Sequence, residues 1–414
     1  MAPIADKFID PETMECPFGY YQQLRDEAPV FFSESVGAYV VSRFEDLQFI
    51  ANNPEIFSSS PPPEDNVGNL NFGRQFFPIY EELGVPPQKA TLVVTDGQVH
   101  RRYRAIVDRP FSVASVKHLD EQIVAIVDGL IDKFIDAGKA DLHTNFSLKI
   151  PLLLMCSMLG LPPEDEEILA SSAEAMTRLN LGSIETPESI HNLHVTQAKF
   201  HRYLLDHLTL LRENPDESMI SQLLQWRDES GAPLSDEEIL SFISILNIGG
   251  NETTTSGFGN MLFLMIDRGW EDRLRENRDL IPKFIEEMLR VESPVRAMPR
   301  WVRQDVEIAG CTVPAGSVVL IEYAAANRDE RRFSCPADVD LERKGIRNHV
   351  GFGAGAHFCL GASLARLELK IGLGRVLDRM RNIRFDNAGK PLTHHYKISN
   401  RTLTAMPVTF EKIG

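Results

Sequence analysis

The sequence has no apolar run long enough to cross a lipid bilayer. Its longest apolar stretches, such as Ile150–Met158 and Met261–Ile266, are far shorter than the ~20 residues that a membrane-spanning helix needs. The first 15 residues carry acidic side chains early and lack the apolar centre of a signal peptide. We therefore expect a cytoplasmic protein that makes no membrane contact.

Cysteine is scarce, and acidic residues outnumber basic ones. The cysteines include no close pair, which argues against a disulfide framework and against a structural zinc site. The formal net charge is −16, and no patch of interleaved basic and aromatic residues offsets it. This balance argues against nucleic-acid binding and favours solubility. The five cysteines are Cys16, Cys156, Cys311, Cys335 and Cys359.

Linkers and repeats are also missing. No low-complexity stretch, repeat period or charge block divides the 414 residues, so we expect one large domain over residues 1–414. Apolar residues recur at helical spacing through most of residues 17–290, whereas strand-like alternation is sparse. The predicted fold is mainly α with a small β region. The clearest helical stretches are 116–137, 147–159, 190–211 and 235–267, and the strand-like ones are 30–41, 306–321 and the last thirty residues.

One helix is predicted to be unusually long. Ser235 and Glu238 form a capping-box pattern, in which each side chain binds the backbone N–H group of the other residue. The helical pattern then continues to Asp267. At ~1.5 Å per residue, such a helix is about 50 Å long and crosses the whole domain.

The most informative segment is the decapeptide Phe352–Gly361, FGAGAHFCLG, followed by an amphipathic stretch. It predicts that Cys359 lies at the start of a helix, where unpaired backbone N–H groups and the helix dipole stabilise a thiolate. The glycines before Cys359 permit a tight loop and leave room for a flat ligand. His357 is placed to hydrogen-bond an anion at the edge of that ligand.

This decapeptide resembles the cysteine-ligand loop of cytochromes P450. Six family positions match: Phe352, Gly353, Gly355, His357, Cys359 and Gly361. The resemblance implies a cytochrome P450 fold and haem b, with Cys359 as the axial ligand of the iron and Phe352, His357 and Gly361 at the cofactor. It also implies an N-terminal extension at 1–16, a long central helix at 235–267, and a proximal loop with the cysteine-ligand region at 343–371.

A second group of residues lies in the middle of the long helix. Gly249 and Gly250 each cost roughly 1 kcal/mol relative to alanine there, and the Thr253 hydroxyl can bind the Gly249 carbonyl and open the helix. Alone, this pattern equally fits a close helix crossing. It resembles the family's oxygen-binding groove and acid–alcohol pair, which implies that Glu252 and Thr253 handle protons and dioxygen and that Gly249 lies at the cofactor. Asn247 and Asn251 depart from the family's usual residues and can alter the water structure there.

Two further sets of charged residues match family positions. Glu287 and Arg290 alone fit a surface ion pair, but the family buries such a pair with an arginine from a later loop, here Arg343. The resemblance implies that this triad braces the proximal loop. Several basic residues in motif-matching positions separately fit solvated surface charges, but the resemblance implies that together they clamp the two haem propionates. They are His100, Arg104 and Arg300, together with His357.

Residues 343–384 contain nine Lys or Arg against two acids, a net charge of +7. A solvated helix face explains this, but we favour a docking surface for an acidic electron donor, in which Arg366 and Arg375 take part. The resemblance implies electrons from NAD(P)H, delivered by a 2Fe–2S ferredoxin or a flavodoxin with its reductase. A soluble, monomeric, bacterial-type monooxygenase with separate partners is expected.

The reaction implied by the resemblance is insertion of one atom of O₂ into a C–H bond of a small hydrophobic substrate. Positions that resemble the pocket lining are largely apolar, and terpenoids, steroids, fatty acids and aromatics all remain open. Two rivals are a peroxide-using peroxygenase and a non-catalytic haem-thiolate sensor or carrier. The pocket positions are Ile245, Val295, Met298 and Leu403, with Arg296 as an anchor for a carboxylate or hydroxyl if it points inward.

Overall fold

Helices make up most of the protein in its computed structural model, which describes residues 4–62, 74–180 and 185–413. Helix accounts for 55% and strand for 12%, which confirms the mainly α prediction. Residues 1–3 of the predicted N-terminal extension lie outside the described residues. The α-helices are α1 Pro11–Glu15, α2 Phe18–Glu27, α3 Phe44–Ala51, α4 Phe77–Glu82, α5 Gly97–Val107, α6 Val113–Val116, α7 Asp120–Asp132, α8 Lys149–Leu159, α9 Glu166–Asn180, α10 Pro187–Glu213, α11 Met219–Gln225, α12 Asp236–Asp267, α13 Glu271–Glu276, α14 Ile281–Val291, α15 Tyr323–Ala326 and α16 Ala362–Arg379.

The strands form small sheets. One sheet has the order β1-β2-β8-β5-β3, in which β2 and β8 are parallel and the other neighbours antiparallel. A second has the order β4-β10-β9, and β6 pairs with β7. The strands are β1 Val30–Ser33, β2 Ala38–Val41, β3 Phe57–Ser58, β4 Lys139–Asp141, β5 Ala297–Val302, β6 Val306–Ile308, β7 Cys311–Val313, β8 Val318–Glu322, β9 Met380–Phe385 and β10 Pro407–Lys412.

The chain packs into two compact units. Unit 1 comprises residues 1–58, 117–150 and 253–414, and unit 2 comprises residues 59–116 and 151–252. All the sheets above belong to unit 1, while the described part of unit 2 contains helices, loops and a single β-bridge, between Arg227 and Pro233. The chain passes from one unit to the other within α8 and α12, and the single domain over residues 1–414 stays a prediction.

The long helix α12 begins as the sequence predicts. The Glu238 backbone N–H donates to Ser235 Oγ at 3.2 Å, and the Ser235 N–H donates to Glu238 Oε2 at 3.0 Å. This reciprocal capping box satisfies two backbone donors at the helix start. The helix then runs without interruption from 236 to 267.

In unit 1, α12 lies in close contact with α16. A Cβ atom at Gly372 would lie 2.3 Å from the ring of Phe258, so only glycine allows this approach. The ring of Phe258 also packs edge-to-face on Phe146, with centroids 5.8 Å apart. These contacts fix the position of α16, the helix that follows the Cys359 loop.

In unit 2, α12 packs against α9 through polar groups. The Asn247 amide donates to the Leu169 carbonyl at 2.9 Å, and the Asn251 amide donates to Asn247 Oδ1. Both asparagines are buried.

Among the described helices, none is both long and apolar enough to cross a membrane.

Candidate active site

The loop before α16 holds Cys359 in a defined position. The Cys359 backbone N–H donates to the Phe352 carbonyl at 2.9 Å, and the Phe358 N–H donates to the Gly355 carbonyl at 3.1 Å. Gly361 is the N-cap of α16, so Cys359 lies three residues before its first helical residue, as predicted. Cys359 is half-buried, and Phe358 beside it is 45% exposed. The loop therefore presents the cysteine near a helix N-terminus without enclosing it.

Glycine is required at position 355 of this loop. Its φ of +67° is in the left-handed region, and a Cβ atom would lie 2.2 Å from the carbonyl oxygen of Ala51 in α3. Gly353 also has a positive φ, +73°. Both glycines therefore serve the tight turn that the sequence predicts.

Arg300 in β5 lies close to the same loop. Its Nη1 atom donates to the Pro299 carbonyl at 2.7 Å, and its charge acts on the hydroxyl of Tyr323, which lies 3.6 Å from the Cβ position of Gly353. Burial raises the pKa of the Tyr323 hydroxyl, while Arg300 opposes that rise. Arg300 is only 6% exposed and forms no ion pair with an acid of the described chain. A buried guanidinium without a carboxylate partner is a strong potential anion ligand.

His100 and Arg104 lie one turn apart on α5 in unit 2. His100 is buried, and Arg104 is half-buried and pairs with Asp108 at 3.0 Å. His357 in unit 1 is half-buried. His100 and Arg104 belong to unit 2, whereas His357 and Arg300 belong to unit 1. A common clamp formed by these four residues therefore stays a prediction.

The middle of α12 carries the predicted groove residues in different surroundings. Gly249 is exposed, and no described atom lies within 4 Å of where its Cβ would be. A Cβ at Gly250 would lie 2.7 Å from the terminal methyl group of Met155 in α8, the far end of a flexible side chain. Glu252 and Thr253 follow on the helix, both half-buried. The Glu252 carboxyl contacts the hydroxyl of Thr177 in α9.

The structure brings the predicted triad together in unit 1. Glu287 forms a two-point ion pair with Arg290, at 2.7 and 2.8 Å, and binds Arg343 Nε at 3.0 Å. The Glu287 and Arg290 side chains are both 0% exposed. Arg290 also donates to the Pro336 carbonyl, and Glu287 accepts the backbone N–H of Asp340. Burial alone would raise the pKa of Glu287, but the two arginines hold it below its ordinary value.

Comparison with known proteins identifies the family. The family model for cytochrome P450 matches residues 185–393. Cytochrome P450 109 of Bacillus spizizenii is 31% identical over 365 residues, which are 87% of this chain and 84% of that protein. The chain belongs to the cytochrome P450 family. The vitamin D(3) 25-hydroxylase of Pseudonocardia autotrophica is 34% identical over 320 residues, 77% of each chain.

A solved structure confirms the cytochrome P450 fold. The crystal structure of CYP109E1 from Bacillus megaterium in complex with testosterone has a TM-score of 0.83 and 28% identity, and the match covers 96% of this chain and 99% of that one. The protein is accordingly a P450 monooxygenase, an oxidoreductase that incorporates molecular oxygen. It uses haem b and electrons from NAD(P)H that arrive through a redox partner.

The residues of unit 1 fit a haem group. Arg300 offers a buried positive charge that lacks an acidic partner among the described residues, which suits a propionate. No described atom lies within 4 Å of a Cβ at Gly361, beside the cysteine. A sulfur ligand, an anion ligand and open space at the glycine therefore lie on neighbouring parts of one unit.

The predicted pocket positions differ in their surroundings. Ile245 is half-buried on α12, Val295 and Met298 pack at the edge of a unit 1 core cluster, and Leu403 is buried with its side chain 3.8 Å from the Cβ position of Gly259. The side chains of this P450 at these positions are all apolar.

Arg296 does not act as the substrate anchor that the sequence suggested, because its hydrogen-bond donors bind groups inside unit 1. Its Nε and Nη2 atoms donate to the Tyr21 hydroxyl at 3.1 and 2.7 Å, and Nη1 lies 3.4 Å from the Met14 carbonyl. Tyr21 in turn donates to Glu322 at 2.7 Å. Burial raises the pKa of Glu322 to about 7, although Arg296 opposes that rise. Arg296 is thus part of a buried structural network in this P450 and is not directed at a ligand.

The basic segment 343–384 is also less charged than its composition suggests. Arg366 forms a two-point ion pair with Glu286, at 2.7 and 3.0 Å, and Arg375 forms one with Asp128, at 2.7 and 2.9 Å. The net charge of +7 therefore overstates the local field. Arg343, Arg379 and Arg381 also pair with acids outside the segment, whereas the exposed Lys344, Lys370 and Arg384 form no ion pair within the described chain.

Sequence reasoning missed Glu286 and its partners. Glu286 binds Arg366 and the ring nitrogen of His349, the latter at 3.0 Å, and Arg366 stacks over the Phe352 ring at 4.4 Å. Burial alone would raise the pKa of Glu286, but His349 and Arg366 lower it to about 2. This network joins α14, α16 and the Cys359 loop. The only signal in the sequence was that Glu286 lies beside Glu287. Two adjacent glutamates do not by themselves indicate which of them is buried or which residues they bind.

Proposed function

We propose that Cys359 is the axial ligand of the haem iron and that the enzyme inserts one atom of O₂ into a C–H bond of a small hydrophobic substrate. The observation that carries this proposal is the Cys359 loop, in which the half-buried sulfur precedes α16 and open space lies where Gly361 lacks a side chain. Haem, when bound, activates O₂, and thiolate ligation favours cleavage of its O–O bond.

Arg300, together with His100, Arg104 and His357, would hold the haem propionates. Arg300 has the strongest support, since its guanidinium is buried and has no acidic partner in the described chain. His100 is buried on the same face of α5 as Arg104. Phe352 and Gly361 would contact the cofactor from the Cys359 loop, and Arg343 with the Glu287–Arg290 pair would brace the proximal loop.

Glu252 and Thr253 supply protons during the reaction. Glu252 holds a proton at its carboxyl group and passes it toward the Thr253 hydroxyl, the next residue along α12, near the open backbone at Gly249. The hydrogen bond to Thr177 supports this role, because it gives the half-buried Glu252 carboxyl a partner on a neighbouring helix.

Electrons arrive from NAD(P)H through a 2Fe–2S ferredoxin and its reductase, or through a flavodoxin. The exposed basic residues near α16 support contact with an acidic carrier, although Arg366 and Arg375 are already paired. The enzyme works as a cytoplasmic monomer. Reconstitution of the activity should therefore be tried with a ferredoxin and, separately, with a flavodoxin.

The substrate is a hydrophobic compound, and steroids are the first class to test. The matched proteins include one named for vitamin D(3) hydroxylation and one crystallised with testosterone. Ile245, Val295, Met298 and Leu403 offer apolar contacts and no charge, which suits such a guest. Testosterone, a vitamin D compound, a fatty acid, a terpenoid and a small aromatic should be titrated while the haem Soret band is followed.

The decisive experiment replaces the ligand. Cys359→Ser should abolish the absorption band that is characteristic of the carbon monoxide complex of thiolate-ligated haem, whereas Cys335→Ser, at an exposed cysteine, should retain it. Retention of the band in Cys359→Ser would refute the assignment. Turnover with ferredoxin, reductase and NAD(P)H, compared with hydrogen peroxide alone, then tests the monooxygenase against the peroxygenase alternative.

A further inference from the structure

The hydroxyl of Thr177 lies between two acceptors in unit 2. Its Oγ1 atom is 2.9 Å from the carbonyl oxygen of Ala173, one turn earlier in α9, and it contacts Oε2 of Glu252 in α12. Thr177 is only 3% exposed, so solvent does not replace either contact.

The number of hydrogens limits what these contacts mean. A threonine hydroxyl donates one hydrogen and can accept others. If Thr177 donates to the Ala173 carbonyl, the contact with Glu252 is a hydrogen bond only when a protonated Glu252 is the donor. If Glu252 is ionised, Thr177 must turn its hydrogen toward the carboxylate. The two protonation states of Glu252 therefore correspond to two orientations of one O–H bond.

The surroundings favour a hydroxyl that stays in place while its hydrogen turns. Threonine is β-branched, and in a helix its hydroxyl bonds readily to the carbonyl of the preceding turn. Asn247 ties α12 to the Leu169 carbonyl of α9 at 2.9 Å, about two turns from Thr177. The distance between the hydroxyl and the Glu252 carboxyl is thus set by two helices that are linked at a second point.

We propose that Thr177 is a positioning residue that holds the Glu252 carboxyl in both its protonated and its ionised state. The inference rests on the proposed role of Glu252 as a proton donor. When Glu252 passes its proton to the Thr253 hydroxyl, which hands its own hydrogen on to the O₂ reduction that consumes protons, the Glu252 O–H bond breaks. The Thr177 hydrogen then turns from the Ala173 carbonyl to the new carboxylate. The Thr177 O–H bond itself stays intact, and a proton from solvent restores Glu252.

The test uses the haem-loaded enzyme with its redox partners. Thr177→Val removes the hydroxyl and keeps the shape, and Thr177→Ser keeps the hydroxyl. Thr209→Val is the matched control, because Thr209 makes the same contact with the carbonyl four residues earlier, at 3.0 Å, on an exposed face of α10. Glu252→Gln reports on the proposed proton donor itself.

We expect Thr177→Val to lower kcat for product formation roughly tenfold. This factor corresponds to about 1.4 kcal/mol, close to the contribution of one hydrogen bond to a charged group. The variant should also release more hydrogen peroxide per NAD(P)H consumed and show a larger solvent isotope effect. Thr177→Ser should recover most of the rate, and Thr209→Val should match the wild type. Adding Thr177→Val to Glu252→Gln should cause little further loss.

A spectroscopic measurement on the resting enzyme complements turnover. Infrared difference spectra identify the Glu252 band by its loss in Glu252→Gln, and Thr177→Val should shift that band while Thr209→Val leaves it unchanged. The role of Thr177 alone would be overturned by an unshifted band in Thr177→Val. It would also be overturned if Thr177→Val formed as much product per NAD(P)H as the wild type while Glu252→Gln was slow. A Glu252→Gln enzyme with unchanged kcat and coupling would instead overturn the proposed role of Glu252, on which it rests.

Discussion

Replacement of Glu287 by glutamine tests whether the buried triad holds the proximal side of the enzyme. Glu287 accepts two hydrogen bonds from Arg290, one from Arg343 and one from the Asp340 backbone, at 2.7 to 3.0 Å. Glutamine keeps the shape but removes the charge that compensates two arginines. Because Arg290 stays fully buried, we expect the free energy of unfolding to fall by about 3–5 kcal/mol.

The measurement is urea denaturation of the haem-loaded protein, followed by far-ultraviolet circular dichroism and by haem absorbance. Glu342→Gln is the control, since Glu342 pairs with Lys283 at 3.1 Å on the surface, where both side chains are exposed. Its change should lie within about 1 kcal/mol. Similar shifts of the unfolding midpoint in Glu287→Gln and Glu342→Gln would refute the reasoning, because they would mean that burial adds nothing to the pair.

Three further predictions concern the loop, acid stability and the long helix. Gly355→Ala should lower haem content because its Cβ would lie 2.2 Å from the Ala51 carbonyl, whereas Gly374→Ala, with no described atom within 4 Å, should not; equal haem content in both would contradict this. Glu286 has its folded pKa lowered from 4.5 to about 2, so its stabilising contribution is present above 4.5 and is lost as the pH falls toward 2. Unfolding midpoints measured across that range should therefore fall less steeply for Glu286→Gln than for the wild type, and parallel curves would exclude the effect. Ser235→Ala should cost about 1 kcal/mol in urea denaturation, since it removes one half of the capping box, and an unchanged midpoint would argue against it.

Features encoded by neighbouring residues could be predicted from the sequence. The capping box of α12 depends on Ser235 and Glu238 alone, and the position of Cys359 before α16 depends on one decapeptide and the stretch after it. Both appear in the structure because a local pattern of glycines, caps and helical spacing determines them.

Contacts between distant residues could not be predicted in this way. Arg366 and Glu286 are 80 positions apart, so a count of charges along 343–384 missed the pairing that neutralises Arg366. Thr177 and Glu252 are 75 positions apart and belong to separate helices. Only the packing of the helices brings such groups together, and helical spacing alone does not specify which helices meet.

Strand β5 was missed for a different reason. Pro299 in its middle lacks a backbone N–H group, which argues against a strand with neighbours on both sides. In the structure β3 pairs only with Trp301 and Val302, so Pro299 lies on a part of β5 that pairs with β8 alone. A sequence pattern does not reveal how short the neighbouring strand is.

The contact between Phe258 and Gly372 has a consequence for the evolution of the family. Since the ring occupies the space that any Cβ at 372 would need, the sizes of these two side chains cannot vary independently. We expect relatives with alanine or a larger residue at the position of Gly372 to carry a smaller side chain at the position of Phe258. A change from one combination of side chains to the other would then require substitutions at both positions. The residues at these two positions, 114 apart in the sequence, should therefore vary together among relatives.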